Sequence, residues 1–238
     1  MVASLCAQVS QSQQPSVDWV RDPGFVSVQP PLAEPELRME PSDLFDCAAL
    51  CSTKTWCSSF MYISEQAQCL LFKIVYLENE ELLEIPGAEY YRVASDSCPV
   101  QECFAMSRPD NLCFLYLNES RTSEESRDLC KTKNGRLAIL DTLSKNEWIV
   151  SLLEMNGASY DASLYLGAQR NGTVFTWSNG QQVAVPESNH SFWGDSEPNY
   201  SSEHCLVLKS DISVMRWRDG SCDLQSTGVL CEYQPASN

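Results

Sequence analysis

The chain has 238 residues, enough for two domains of ordinary size and more than a minimal disulfide-stapled module needs. Twelve cysteines against two histidines favour disulfide bonds outside the cytosol over zinc sites, because no Cys-x2-Cys pair occurs. The net charge of −16 argues against a nucleic-acid partner, and no apolar run reaches the roughly 20 residues of a membrane helix, so no membrane insertion is predicted.

The N-terminal residues 1–18 are predicted to lie outside the folded domains. Residues 1–7 end like a secretory cleavage zone but lack a basic start and a full apolar segment, so we interpret them as a signal-peptide remnant followed by a polar linker. On that interpretation Cys6 does not belong to the fold. The alternative is that Cys6 closes the first domain by pairing with a late cysteine such as Cys98.

Three short strands are predicted in the first half of the chain. The first covers residues 25–28, directly after the turn sequence Asp22-Pro23-Gly24. The other two are the apolar runs 59–62 and 69–72, which are close enough in sequence to lie side by side. This pattern predicts a small antiparallel sheet.

A cysteine-rich helix precedes the second of these strands. Ser42 can cap it, and the four-residue spacing puts Cys47 and Cys51 on one face, which must meet other cysteines. The cluster of Cys47, Cys51, Cys57 and Cys69, with Trp56-Cys57-Ser58-Ser59-Phe60 in the middle, resembles the PAN/apple domain family. The resemblance covers residues 19–97 and implies a helix on an antiparallel sheet with the disulfides Cys47–Cys69 and Cys51–Cys57. The alternative is a generic disulfide-rich knot.

The second half of the chain begins with two predicted amphipathic helices. Thr122 and Glu125 form a capping-box pattern at the start of the first, and Ser144 and Glu147 repeat it at the second. A strand at residues 174–177 follows, and further strands are predicted around the last three cysteines.

Residues 98–235 resemble the long form of the C-type lectin-like domain, because they combine helices, a loop-rich region and strands closed by cysteines. The motifs that carry the resemblance occur in the family's order: Tyr165-Leu166-Gly167-Ala168, Trp177-Ser178-Asn179-Gly180, Glu197-Pro198-Asn199 and Trp217-x-Asp219, with Cys130, Cys205, Cys222 and Cys231. The whole chain is therefore predicted to be an α+β protein of two disulfide-rich modules. The resemblance implies three disulfides in the second, Cys103–Cys113, Cys130–Cys231 and Cys205–Cys222.

The resemblance also implies a calcium ion that binds two vicinal sugar hydroxyls. Ca2+ prefers six to eight oxygen ligands, and four of the family's five side-chain positions carry suitable residues here: Glu197, Asn199, Glu203 and Asp219. The family holds the intervening proline, Pro198, in the cis form. In the family, Glu-Pro-Asn points to mannose, N-acetylglucosamine or fucose rather than galactose.

The fifth ligand position breaks the pattern because Arg218 stands where the family has a neutral oxygen ligand. A guanidinium about 4 Å from a divalent ion is repelled by about 8 kcal/mol at an effective dielectric constant of 20. Arg218 therefore either swings to solvent and leaves a weakened calcium site, or folds inward and neutralises Glu197 and Glu203 without calcium.

Four glycosylation sequons lie in the second half of the chain. We expect glycans on Asn118, Asn171 and Asn189. The fourth sequon begins at Asn199, where a glycan would abolish calcium ligation by the amide.

Together these patterns predict a secreted, extracellular lectin that binds carbohydrate on glycans or glycoproteins with the help of calcium. The chain carries no catalytic or phosphate-binding motif, so an enzyme is not expected. The alternative is a calcium-independent protein-binding module on the lectin scaffold, with a second protein or glycan contact through the PAN-like domain.

Overall fold

The computed structural model describes residues 18–29, 35–73, 75, 83–94, 98, 105–107, 112–155, 162–184, 186, 192–211 and 214–233. The chain divides into two compact units, Met1–Cys113 with Ser151–Gly157, and Phe114–Val150 with Ala158–Asn238. The described residues form three α-helices and antiparallel sheets, which confirms the predicted α+β class. The boundaries predicted from the sequence, at residues 1–18, 19–97 and 98–235, stay predictions.

The first unit contains a five-stranded antiparallel sheet in the order β1-β5-β3-β4-β2. Its strands are β1 (Asp18–Gln29), β2 (Leu37–Met39), β3 (Ser59–Ile63), β4 (Gln68–Phe72) and β5 (Leu83–Ala94). The two apolar runs predicted as neighbours are β3 and β4, with Met61 opposite Leu70.

Strand β1 is longer than predicted. It begins at Asp18, and the sequence Asp22-Pro23-Gly24, which we expected to be a turn before a strand at 25–28, lies inside it. The pairing with β5 shifts register between Arg21 and Val26. Because β1 lies at the edge of the sheet, an irregularity there accommodates a proline that a central strand would exclude.

Helix α1 (Leu44–Thr53) carries both predicted disulfides. Cys47–Cys69 joins the helix to β4, and Cys51–Cys57 joins it to the segment just before β3. Cys47 and Cys51 are fully buried and pack in one core cluster with Phe60 and Leu71. The helix is capped by Asp43, not by Ser42 as predicted, because the Asp43 carboxylate accepts a hydrogen bond from the amide of Asp46 at 2.9 Å. A carboxylate at this position also interacts favourably with the positive end of the helix dipole.

The second half of the chain contains two further helices and the remaining strands. After β6 (Ala105–Ser107) come β7 (Leu112–Leu117), α2 (Ser123–Thr132), β8 (Gly135–Leu137), α3 (Leu143–Met155), β9 (Ser163–Asn171), β10 (Val174–Trp177), β11 (Cys205–Asp211), β12 (Val214–Gly220) and β13 (Val229–Tyr233). One antiparallel sheet has the order β10-β9-β11-β12, and β13 lies between β7 and β8 in another.

The two helix starts differ in how well the sequence predicted them. At α2 the predicted capping box is present, with the Glu125 amide donating to Thr122 Oγ1 and the Thr122 amide donating to Glu125 Oε2. Helix α3 begins earlier than predicted, because Thr142, not Ser144, supplies the hydroxyl that accepts a hydrogen bond from the amide of Lys145 at 3.2 Å.

Two of the three disulfides expected here, Cys130–Cys231 and Cys205–Cys222, are confirmed. The expected bridge Cys103–Cys113 is wrong, since Cys113 pairs with Cys98. The Cα atoms of Cys98 and Cys113 are 5.4 Å apart, within the range that a disulfide requires, and Cys98 is buried. This pairing also overturns the alternative Cys6–Cys98 bridge. Cys6 and Cys103 lie outside the described residues.

Trp217 of β12 is the centre of an aromatic cluster. Its ring meets those of Trp177, Phe192 and Trp193 at centroid distances between 5.6 and 6.0 Å. Its indole N–H donates to the Asn146 side chain at 2.7 Å, and the Asn146 amide is fully buried. Trp217 therefore fixes β12, and with it the residues on either side.

No helix in the described part of the chain is long and apolar enough to cross a membrane.

Removing the Cys130–Cys231 bridge is expected to destabilise the chain more than removing Cys205–Cys222. The bridged residues are 101 and 17 positions apart, which corresponds to about 5 and about 3 kcal/mol in the chain-entropy model. Urea unfolding of the two double Cys→Ala variants, followed by tryptophan fluorescence, measures both losses. Equal losses, or a greater loss for the shorter loop, would contradict this ranking.

Candidate functional site

The candidate site lies where β12 meets the loop of residues 192–204. Arg218 and Asp219 belong to β12, and Glu197, Asn199 and Glu203 belong to the loop. Because side chains alternate along a strand, Asp219 is on the buried face of β12 with Trp217, and Arg218 is on the opposite, partly exposed face.

The beginning of the loop runs beside β12. The Trp217 amide donates to the Phe192 carbonyl at 2.9 Å, and the Gly194 amide donates to the Trp217 carbonyl at 2.8 Å. The amide of Glu197 then donates to the Gly194 carbonyl, and the Glu197–Pro198 peptide bond is cis, as the family resemblance implies. These bonds turn Glu197 and Asn199 toward the end of β12.

The Asp219 carboxylate holds this loop in place. Its Oδ1 accepts a hydrogen bond from the amide of Asn199, and its Oδ2 accepts one from the amide of Tyr200, both at 3.0 Å. The side chain has no exposed surface. A buried carboxylate is costly unless its charge is compensated, so Asp219 needs a cationic partner.

That partner is Arg170, near the end of β9. Its Nη2 donates to Asp219 Oδ2 at 2.6 Å, and only 9% of the Arg170 side chain is exposed. The guanidinium also lies over the ring of Phe175 at 4.7 Å from its centroid. Arg170 was not among the residues expected at the site, because it is 49 positions from Asp219 and no motif connects the two. The ion pair is visible only once the strands are placed.

Glu197 is the second buried carboxylate of the site, after Asp219. Its side chain is 6% exposed, and its Oε1 accepts a hydrogen bond from the Asn199 side-chain amide at 3.2 Å. Its Oε2 is buried and accepts no hydrogen bond from the described residues. Burial, followed by the neighbouring Asp219 carboxylate, raises the pKa of Glu197 to about 7, and Arg218 opposes the rise.

Arg218 turns toward the site, as one of the two predicted alternatives required. Its Nη1 lies 3.9 Å from Glu197 Oε1, and 28% of its side chain stays exposed. This distance is too long for a hydrogen bond but short enough for electrostatic attraction. Arg218 therefore partly neutralises Glu197.

Glu203 follows in the same loop, where its amide donates to the Tyr200 carbonyl at 3.1 Å. Burial and the charge of Asp219 raise its pKa, and Arg170 and Lys209 oppose the rise. The structure thus joins Glu197, Asn199 and Asp219 through hydrogen bonds, and it relates Glu203 to them only through electrostatics.

These residues do not fit a calcium ion as they are arranged. In the described part of the chain, no group of three or more His, Cys, Asp or Glu side chains is placed to hold a metal. Both Asp219 oxygens are engaged by N–H donors, and one of them carries the Arg170 guanidinium. A divalent cation beside Asp219 would be repelled by the buried guanidinium of Arg170, which already compensates the charge of Asp219.

The sequon asparagines that the structure describes are all exposed. Asn118, Asn171 and Asn199 are exposed, and Asn189 lies outside the described residues. Asn171 occupies the tight turn between β9 and β10, where nothing lies close to Gly172. Glycosylation at these positions stays a prediction.

Comparison with known families confirms both predicted modules. The lectin C-type domain model matches residues 119–233, and the PAN domain model matches residues 33–92. The chain therefore carries a PAN domain followed by a C-type lectin domain.

Known proteins resemble the C-terminal half. C-type lectin 1 of Hydrophis hardwickii is 22% identical over 129 residues, which cover 52% of this chain and 75% of the relative. Lithostathine-1 of Mus musculus is 26% identical over 126 residues, covering 51% of this chain and 72% of that protein. The solved structure of the Ca2+-independent C-type lectin SPL-2 from Saxidomus purpuratus matches with a TM-score of 0.50 and 21% identity, covers 60% of this chain and 99% of that one, and shows a shared fold.

Replacing Arg170 by glutamine is expected to destabilise the domain by about 3–5 kcal/mol, because Asp219 is left as a buried, unpaired charge. Arg121→Gln is the matched control, since its ion pair with Glu119 is exposed and should contribute about 0–1 kcal/mol. Chemical denaturation in EDTA measures both. If both variants lost a similar free energy of unfolding, the Arg170–Asp219 pair would not stabilise the loop of residues 192–204.

Glu197→Gln is expected to gain stability relative to the wild type as the pH rises. The pKa of Glu197 in the folded protein, about 7, exceeds the ordinary value of 4.5. The contribution of the protonated carboxyl to the stability of the folded state is therefore fully present below about pH 4.5 and is lost as the pH rises through about 7. Glutamine stays neutral throughout. The difference in melting temperature between variant and wild type, measured in EDTA at pH 5 and pH 8, should grow. A difference that does not change with pH contradicts the expectation.

Proposed function

We propose that this protein binds glycans through the loop face of its C-type lectin domain, which is the surface formed by the loop of residues 192–204. We further propose that it does so without a calcium ion at Asp219. The observation that carries this proposal is the buried ion pair between Arg170 and Asp219. The guanidinium supplies the positive charge that the sequence-based expectation assigned to calcium.

The pair leaves the loop organised for binding. Asp219 holds the amides of Asn199 and Tyr200, so these two residues have fixed positions without a metal. A surface that is already ordered loses less conformational entropy when a ligand binds. This arrangement supports binding without calcium.

The loop face offers groups that suit a sugar. Asn199 presents an exposed amide, and Tyr200 presents an aromatic ring that is 61% exposed. Aromatic rings pack against the apolar face of a sugar and keep a polar group in water.

The similar proteins support carbohydrate over protein as the ligand. C-type lectin 1 of Hydrophis hardwickii is named as a lectin, and a structure with the same fold is named as a Ca2+-independent C-type lectin. Binding, rather than catalysis, is the activity we assign. The five disulfides among the described residues and the exposed sequons further support a secreted glycoprotein. A protein or glycan contact through the PAN domain belongs to the same proposal.

Two competing proposals follow from the same residues. Calcium-dependent recognition of mannose, N-acetylglucosamine or fucose through Glu197, Asn199, Glu203 and Asp219 requires an ion to displace Arg170. A calcium-independent protein-binding module requires that no glycan bind at all.

We expect the melting temperature to change by less than about 1 °C between excess calcium and EDTA, since a bound metal would shift it by several degrees. A glycan array read in EDTA should show binding. A calcium-dependent shift with binding lost in EDTA supports the first competing proposal, and absence of glycan binding in both conditions supports the second.

Tyr200→Ala is expected to weaken glycan binding about tenfold, because the ring lies on the proposed contact surface. Leu224→Ala is the matched control, since Leu224 is a comparably exposed apolar residue, at 65%, outside the loop. Titration of both variants with the best array ligand measures the effect. An equal effect of the two substitutions would place the ligand elsewhere.

A further inference from the structure

The loop face carries a glycosylation sequon whose three residues are all exposed. Asn199, Tyr200 and Ser201 follow one another in the loop, and the Tyr200 side chain is 61% exposed. The Glu203 amide donates to the Tyr200 carbonyl at 3.1 Å, so Ser201 lies in a turn at the surface. A glycan attached to this sequon would therefore begin on the surface that we propose for ligand binding.

The Asn199 side chain can carry a sugar and keep a hydrogen bond. Its Nδ2 donates to Glu197 Oε1 at 3.2 Å. A side-chain amide has two N–H donors, and the second one of Asn199 has no acceptor among the described residues. Because an N-linked glycan replaces one of the two hydrogens, one N–H remains to donate to Glu197.

The backbone around Asn199 is held independently of that side chain. The backbone amides of Asn199 and Tyr200 donate to the Asp219 carboxylate, both at 3.0 Å, and the Asp219 side chain has no exposed surface. A glycan on Nδ2 leaves these two hydrogen bonds unchanged. The first sugar is therefore attached at a fixed backbone position, one residue before Tyr200.

We propose that Asn199 is N-glycosylated and that its glycan covers the loop face, so that only chains with an unmodified Asn199 bind an external glycan. The inference rests on the proposed function, because it names how that site is regulated. In the covalent step, Nδ2 forms a bond to C1 of the first sugar of a lipid-linked oligosaccharide pyrophosphate. The bond from C1 to the pyrophosphate oxygen breaks, the lipid pyrophosphate leaves, and Nδ2 loses one proton.

Attachment favours the chain's own glycan over a free one. The Asn199 amide and the Tyr200 ring are the groups that the loop face offers to a sugar. A tethered ligand reaches a site beside its attachment point at an effective concentration on the order of 1 mM. A free glycan of the same affinity must exceed this concentration to displace it. An N-linked glycan is also bulky, so it obstructs the face even while it is not bound there.

The test uses the full chain secreted by glycosylating cells. Ser201→Ala, which lacks the sequon, is first read on a glycan array in EDTA, and its best ligand is immobilised. The wild type is passed over this ligand, and peptide mass spectrometry measures the occupancy of Asn199 in retained and unretained chains. We expect Asn199 to carry a glycan and the glycosylated form to be depleted at least about tenfold among retained chains. Asn118 and Asn171, which lie outside the loop of residues 192–204, are internal controls and should be equally occupied in both fractions.

Two substitutions at one position separate the effect of the glycan from that of the hydroxyl. Ser201→Ala should be retained as well as wild-type chains with an unmodified Asn199. Ser201→Thr keeps the sequon and should behave like the wild type. Ser120→Ala, which removes the sequon at Asn118, should leave retention unchanged. Thermal unfolding checks that the three variants fold.

The outcomes distinguish this inference from the proposed function. Depletion of the Asn199 glycan among retained chains, with Ser201→Ala retained and Ser201→Thr like the wild type, supports the inference. An Asn199 without a glycan, or efficient retention of chains that carry one there, overturns the inference and leaves the proposed function standing. Absence of glycan binding by Ser201→Ala overturns both.

Discussion

The loop face of the C-type lectin domain depends on one buried carboxylate, that of Asp219. Isolated, this charge would be strongly unfavourable in the interior, and its attraction to Arg170 offsets the loss of hydration. The same two oxygens bind the amides of Asn199 and Tyr200. The ion pair and the position of the loop are therefore coupled, because moving the loop would leave either a buried charge or a backbone donor without its partner.

The fold brings this pair together across a strand. Arg170 lies on β9 and Asp219 on β12, and β11 runs between them. Two strand spacings amount to about 10 Å, so only a long side chain can span the gap, and an arginine offers both length and a delocalised charge. The Cys205–Cys222 disulfide joins the start of β11 to the residue two positions after Gly220, the last residue of β12. The covalent bond and the ion pair thus fix the same end of the sheet.

The sequence predicted features that depend on neighbours along the chain or on a complete family motif. The capping box at Thr122, the cis peptide before Pro198 and four disulfide pairings belong to this group. It missed features set by strand register. Arg170 is 49 residues from Asp219, and no spacing rule connects them. The choice between Cys98 and Cys103 as the partner of Cys113 likewise depends on which of them the backbone brings near.

A built-in cation and an exchangeable metal have different consequences. Order imposed by a metal varies with its concentration, because the stabilisation grows with the ratio of free ion to dissociation constant. The guanidinium of Arg170 cannot dissociate from the chain, so the order it imposes on the loop is constant. The group that remains adjustable is Glu197, whose buried Oε2 lacks a donor among the described residues. A proton on this carboxyl is favoured, because burial and the Asp219 carboxylate raise the pKa of Glu197 to about 7. The loop is thus fixed in shape by Arg170, while its charge varies with the protonation of Glu197.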